Sequence, residues 1–82
     1  MGLTSLGVPY NYHHDETVIC LELNGVEVSV GDLIFYRDPL NRLVGCKVES
    51  IELDKEPLDS ASSGRVGIKV DHKVPRNKEL FL

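Results

Sequence analysis

Along most of this 82-residue chain, apolar and polar residues alternate with the two-residue period of a half-buried β-strand. Val18-Ile19-Cys20-Leu21-Glu22-Leu23 leads into Asn24-Gly25. Both residues of that pair tolerate positive φ, and the pair predicts a tight hairpin turn. Val26, Val28 and Val30 then share one face of a second strand, with Glu27 and Ser29 on the other, until Gly31-Asp32 breaks it. At that break glycine supplies the unusual backbone, and the short aspartate side chain accepts bonds from nearby N–H groups. Residues 33–38, "LIFYRD", form an apolar, aromatic run and predict a buried strand, followed by a turn from Asp38-Pro39 through Asn41. Residues 43–54 alternate through Val44, Cys46 and Val48, then change phase at Ser50, because Val48 to Ile51 is a step of three. A β-bulge produces such a shift, so this strand is expected to bend there.

Residues 55–64, "KEPLDSASSG", predict a surface loop. In "RVGIKVDHKV", residues 65–74, Val66, Ile68 and Val70 face one way, and Arg65, Gly67, Lys69 and Asp71 the other. Gly67 leaves room on the polar face for a neighbouring backbone or for curvature. Val74-Pro75 marks a bend, and Leu80-Phe81-Leu82 a short closing strand. No window keeps the apolar spacing of a helix longer than a turn. Five to seven short strands with turn signals between them predict an all-β fold. The expected architecture is one domain over residues 1–82, a small closed antiparallel barrel of six to seven strands. Closure would also remove the exposed sheet edges of a chain rich in Val, Ile and Leu.

The formal net charge of −4 is unevenly spread. Residues 1–14 carry no Lys, Arg, Asp or Glu; residues 15–64 hold eleven acids against four bases; residues 65–82 hold five bases against two acids. Overall acidity argues against a strong non-specific nucleic-acid binder, which depends on neutralising phosphates. The local basic strip of Arg65, Lys69, Lys73, Arg76 and Lys78 remains the candidate contact for an RNA backbone or a partner.

Other chemistry is sparse. Cys20 and Cys46 each stand alone in an apolar stretch, with no CxxC pair. Reduced thiols packed as small hydrophobes in a cytoplasmic protein are the expectation. No apolar run approaches the roughly 20 residues of a membrane span, and the first residues lack a basic, then apolar, leader; no membrane contact is expected. Residues 10–16, "YNYHHDE", offer His13, His14, Asp15 and Glu16 as ligands. Adjacent histidines point to opposite faces of a strand, however, and the spacing fits no zinc template. His72 stands alone in a basic segment. No metal or cofactor is expected. Neither cysteine has an activating base nearby in sequence, and no acid–base pair is evident, so an enzyme is not expected.

The segments "VSVGDLIFYRD" and "KVESIELDKEPLDSASSGRVGIKVDHKVPRNKELFL" resemble the second domain of translational GTPases, the elongation factor Tu-like β-barrel. The resemblance rests on the order of a Gly-Asp break, an acid-studded strand, a small-residue loop and a "VGI" strand. It runs from about Leu6 to Leu82, and it extends to the similar barrel appended to collagenase-like peptidase homologues. Ser63-Gly64-Arg65 and Asn77-Lys78-Glu79 stand where that family often has Gly-Asp. No G-x-x-x-x-G-K-[ST] occurs, so this chain alone is not expected to bind nucleotide. The resemblance implies a non-enzymatic binding module that contacts ribosomal RNA, tRNA or a translation-related protein. The alternative is a protein–protein adaptor docking onto a larger enzyme.

Overall fold

The computed structural model describes residues 2–82. Eight strands follow in order: β1 (Ser5–Gly7), β2 (Asn11–His13), β3 (Val18–Ser29), β4 (Leu33–Arg37), β5 (Leu43–Leu53), β6 (Glu56–Leu58), β7 (Ser60–Val70) and β8 (Leu80–Phe81). They form one curled antiparallel sheet in the order β1-β8-β4-β5-β7-β3-β2, with β6 paired to β5. The expected closed barrel of six to seven strands is instead an open half-barrel of eight. The end strands β1 and β2 are joined through Val8-Pro9-Tyr10, so at the seam a short covalent connection stands where a ladder would close the sheet. Pro9 has no N–H to offer such a ladder.

The three long strands produce the curl. β3 pairs with β7 from Val18↔Lys69 to Ser29↔Ser60, with the register broken between Asn24 and Val28. Asn24-Gly25 is therefore not the hairpin turn its composition predicts. Gly25, at φ 94, bends one continuous strand, and Gly64, at φ 87, sits opposite Leu23 at the same corner of β7. Positive φ serves a bulge as readily as a turn, and only the partner strand decides between them. In β5 the register against β7 shifts between Val48 and Ser50, at the phase change seen in the sequence. β7 pairs with β5 on both sides of that bulge, while β4 pairs with β5 before it and β6 after it.

Residues 55–64 also depart from expectation. They supply β6 and the start of β7 instead of a loop. Asp54 (φ 51) and Lys55 (φ 67) connect β5 to β6, with Leu53 opposite Glu56, which is the two-residue geometry with both central residues left-handed. The β4–β5 turn is organised by Asp38, whose carboxylate accepts the N–H groups of Leu40 (2.9 Å) and Arg42 (2.8 Å) and pairs with the Arg42 guanidinium. The Arg42 backbone N–H, foremost, holds the Asp38 carboxyl below the usual carboxylate range. At Gly31-Asp32, the Asp32 carboxylate accepts the Ser29 N–H at 2.8 Å.

The concave face of the sheet holds the core. Ile19, Leu21, Leu23 and Val28 of β3 meet Val66, Ile68 and Val70 of β7; Cys46, Val48 and Ile51 of β5 and Ile34 and Tyr36 of β4 complete it, with Leu6, Tyr12, Leu80 and Val74. No charged or polar residue is buried among the described residues. Burial is thus the cohesive force, and Ile68, wholly buried between β3 and β5, is central to it. Replacing Ile68 by Ala should cost about 2–5 kcal/mol in urea-induced unfolding. Replacing Gly25 by Val should cost roughly 1–3 kcal/mol through its left-handed backbone, while Leu40→Ala on the surface should stay within about 0.5 kcal/mol.

Candidate functional site

The basic strip does not form one surface. Arg65, Gly67 and Lys69 project from the convex face of β7, where the register sets Glu22 opposite Arg65, Cys20 opposite Gly67 and Val18 opposite Lys69. From β5, Ser50 stands opposite Lys69 and Glu52 opposite Gly67. Two abutting grooves, of about 390 and 290 Å³, share His14, Val18, Glu52 and Gly67 and make a furrow across this face. Gly67 floors it; a Cβ there would meet nothing nearer than Val18 Cγ1 at 3.9 Å, so no close backbone approach demands glycine. One wall is the β2–β3 turn, where His14, Asp15 and Glu16 are all left-handed (φ 51, 58 and 61) and the Thr17 hydroxyl donates to the His14 carbonyl at 2.7 Å.

Three of the five cations are individually engaged. The Arg65 guanidinium lies 5.1 Å from the Tyr10 ring centroid, and Lys69 Nζ lies 3.8 Å from Glu49. Arg76 lies 4.9 Å from the Tyr12 ring centroid and 3.8 Å from Glu16. Lys73 is exposed and Lys78 half-buried in the β7–β8 connection. Glu22, Glu49 and Glu52 interleave with Arg65 and Lys69, so the furrow is of mixed charge. Such exposed pairs contribute little to stability, typically about 0–1 kcal/mol. They also leave few free cations for a phosphate backbone, and the two tyrosines carry arginines where bases would stack.

The convex face of the other half of the sheet is different. In β4, only Ile34 and Tyr36 turn inward; Leu33 is 49 % exposed and Phe35 half-buried. The apolar run "LIFYRD" is therefore not a fully buried strand, as its composition predicts, but one that is apolar on both faces. Arg37↔Leu43, Phe35↔Gly45 and Leu33↔Lys47 fix the outward neighbours on β5, and Phe81 of β8 lies opposite Phe35. Gly45 lets the patch flatten, since Phe35 Cε1 is 3.1 Å and Leu33 Cδ2 3.8 Å from where its Cβ would stand. Leu40, 71 % exposed, extends the patch along the β4–β5 turn. Arg37 and Lys47 flank it.

One further cluster escapes a reading by spacing. The β5–β7 pairing Val48↔Val70, continued two residues outward, brings residue 46 opposite residue 72. Cys46 Sγ lies 3.2 Å from His72 Nε2. His72 Nδ1 lies 2.8 Å from Asp71 Oδ1, which also accepts the Lys47 N–H at 3.0 Å. A thiol, an imidazole and a carboxylate in line have the order of a nucleophile, a base and an orienting group. The thiol is unsuited to that task. It is wholly buried, and burial, followed by the charge of Asp71, pushes it up to about 11. Cys20, half-buried, is also raised by burial.

No protein-family model and no curated protein matches the sequence. Among solved structures, the chain matches the C-terminal domain of a Geobacillus thermoleovorans protein described as a U32 peptidase. The match has a TM-score of 0.67 and 16 % identity, and it covers 100 % of both chains. This overturns the resemblance to the second domain of translational GTPases: the fold matches a domain of a different family. Order and spacing of Gly-Asp breaks and a "VGI" strand reflect how a short strand is bent into a curled sheet, which more than one family requires. No helix among the described residues is long and apolar enough to cross a membrane.

The Cys46 thiol gives a pH dependence of defined sign. Its folded value lies above the roughly 8.5 of a free thiol, so folding favours the protonated form. The associated stability is complete below about pH 8.5 and is lost as pH rises through about 11. Urea unfolding at pH 8 and pH 10.5 should show a loss of about 2 kcal/mol that Cys46→Ala removes. Native protein at pH 7.5 should resist iodoacetamide at Cys46.

Proposed function

We propose that this domain is a non-enzymatic docking module that binds a larger enzyme through the convex apolar face of β4, β5 and β8. The observation that carries the reading is the patch of Leu33, Phe35, Leu43 and Phe81 around Gly45. Contiguous exposed apolar surface of this kind marks interaction sites on small domains, and burying it is the main driving force available to the module. The basic flanks Arg37 and Lys47 call for a partner surface with an apolar centre and acidic rim. The full-length likeness to a C-terminal domain of a described peptidase supports the same reading, since such a domain is joined to a larger protein.

Contact with ribosomal RNA or tRNA is the competing reading, through Arg65, Lys69, Lys73, Arg76 and Lys78. The pairing of three of these with acids or aromatic rings weighs against it. The two differ in salt response, because phosphate contacts weaken steeply with salt while an apolar interface does not. Tagged protein should retain one large protein partner from lysate at high salt and after nuclease. Leu33→Asp with Leu43→Asp should weaken that interaction at least tenfold, and Arg65→Glu with Lys69→Glu should leave it intact. Recovery of ribosomal RNA or tRNA at low salt, lost with the charge-reversal pair and unaffected by the apolar pair, would overturn the proposal.

A further inference from the structure

Among the described residues, one group of three metal-capable side chains brings its donor atoms within 4.8 Å of one another: Cys46, Asp71 and His72. We propose that these residues form a binding site for a thiophilic divalent cation of the zinc type.

The donors fit that class of ion. A thiolate and an imidazole select zinc-like metals over magnesium or calcium, which take oxygen ligands. The separations fit as well. With Zn–S near 2.3 Å and Zn–N near 2.0–2.1 Å, a tetrahedral centre holds its sulfur and nitrogen roughly 3.6 Å apart. Cys46 Sγ and His72 Nε2 stand at 3.2 Å, so a few tenths of an ångström of widening admits the ion. Asp71 already holds His72 Nδ1, the arrangement in which a carboxylate fixes the ring so that the other nitrogen faces the metal.

The scaffold suits the task. Cys46 is anchored in β5 with Ile34 opposite it on β4, so the sulfur is fixed by packing. Asp71 and His72 lie in the bend just after β7, with side chains 40 % and 45 % exposed. An ion would arrive from solvent on the His72 side, displace the thiol proton and keep water in its two remaining positions. The turn bearing His13, His14, Asp15 and Glu16 richly supplies ligand types, but its donors do not converge in this way.

The test is a titration of the full chain, kept reduced with a phosphine, with cobalt(II) and then zinc. The expected result is one cobalt per chain with a near-ultraviolet thiolate-to-cobalt band, displaced by zinc. Cys46→Ala should abolish the band and Cys20→Ser should leave it unchanged. His72→Gln, an exposed substitution that spares the core, should weaken binding at least tenfold, and Asp71→Asn about 10–100-fold. Absence of the band in the wild type, its survival in Cys46→Ala, or undiminished affinity in His72→Gln would overturn the site and leave the three side chains as a hydrogen-bonded cap on the β5–β7 ladder.

Discussion

The pairing of β7 between β3 and β5 is the constraint on which the rest of the molecule depends. Both ladders are antiparallel, and both are interrupted at defined positions, near Gly25 in β3 and between Val48 and Ser50 in β5. Those interruptions fold a sheet that would otherwise be a flat ribbon around Ile19, Leu21, Ile51 and Ile68. Without the bends, the inward residues of β4 and β8 would have no opposing wall, and a domain this small has no second layer to supply one.

Curling in this way divides the outer surface into two regions with different chemistry. Over β3, β7 and β5 the outward residues are of mixed charge, with Glu22 opposite Arg65 and Glu49 beside Lys69. Over β4, β8 and the start of β5 they are mainly leucine and phenylalanine, flanked by Arg37 and Lys47. A monomer in water gains nothing from the second arrangement, which makes that region the better candidate for an interface.

Much of the fold is legible in the residues because a strand with one wet face must alternate. Val66, Ile68 and Val70 do so, and the step from Val48 to Ile51 locates the bulge where it occurs. What escapes is whatever the partner strand decides. Asn24-Gly25 satisfies a hairpin and a bend equally well. Asp54-Lys55 makes a tight left-handed turn without the glycine that would announce it. The run from Leu33 to Arg37 hides its exposed side because both its faces are apolar. The meeting of Cys46 with His72 depends on register across two strands, which no linear spacing encodes. The charge strip, conspicuous as a sequence, dissolves once cross-strand acids and two tyrosine rings are placed beside it.

The pairing of the first strand has a consequence for how the chain acquires this shape. Ser5 lies opposite Phe81, and the backbones of Thr4 and Leu82 exchange bonds of 3.0 and 2.8 Å. β8 is also the neighbour of β4. A chain emerging from the ribosome thus makes its first strand long before the residues that hold it exist, and contacts of such sequence separation form late. Until residues 80–82 are free, the edges of β1 and β4 and the apolar flank of Leu6 stay open to other chains. Two residues of β8 close that window, which makes the interval before their release the period in which a nascent copy is most prone to misassociate.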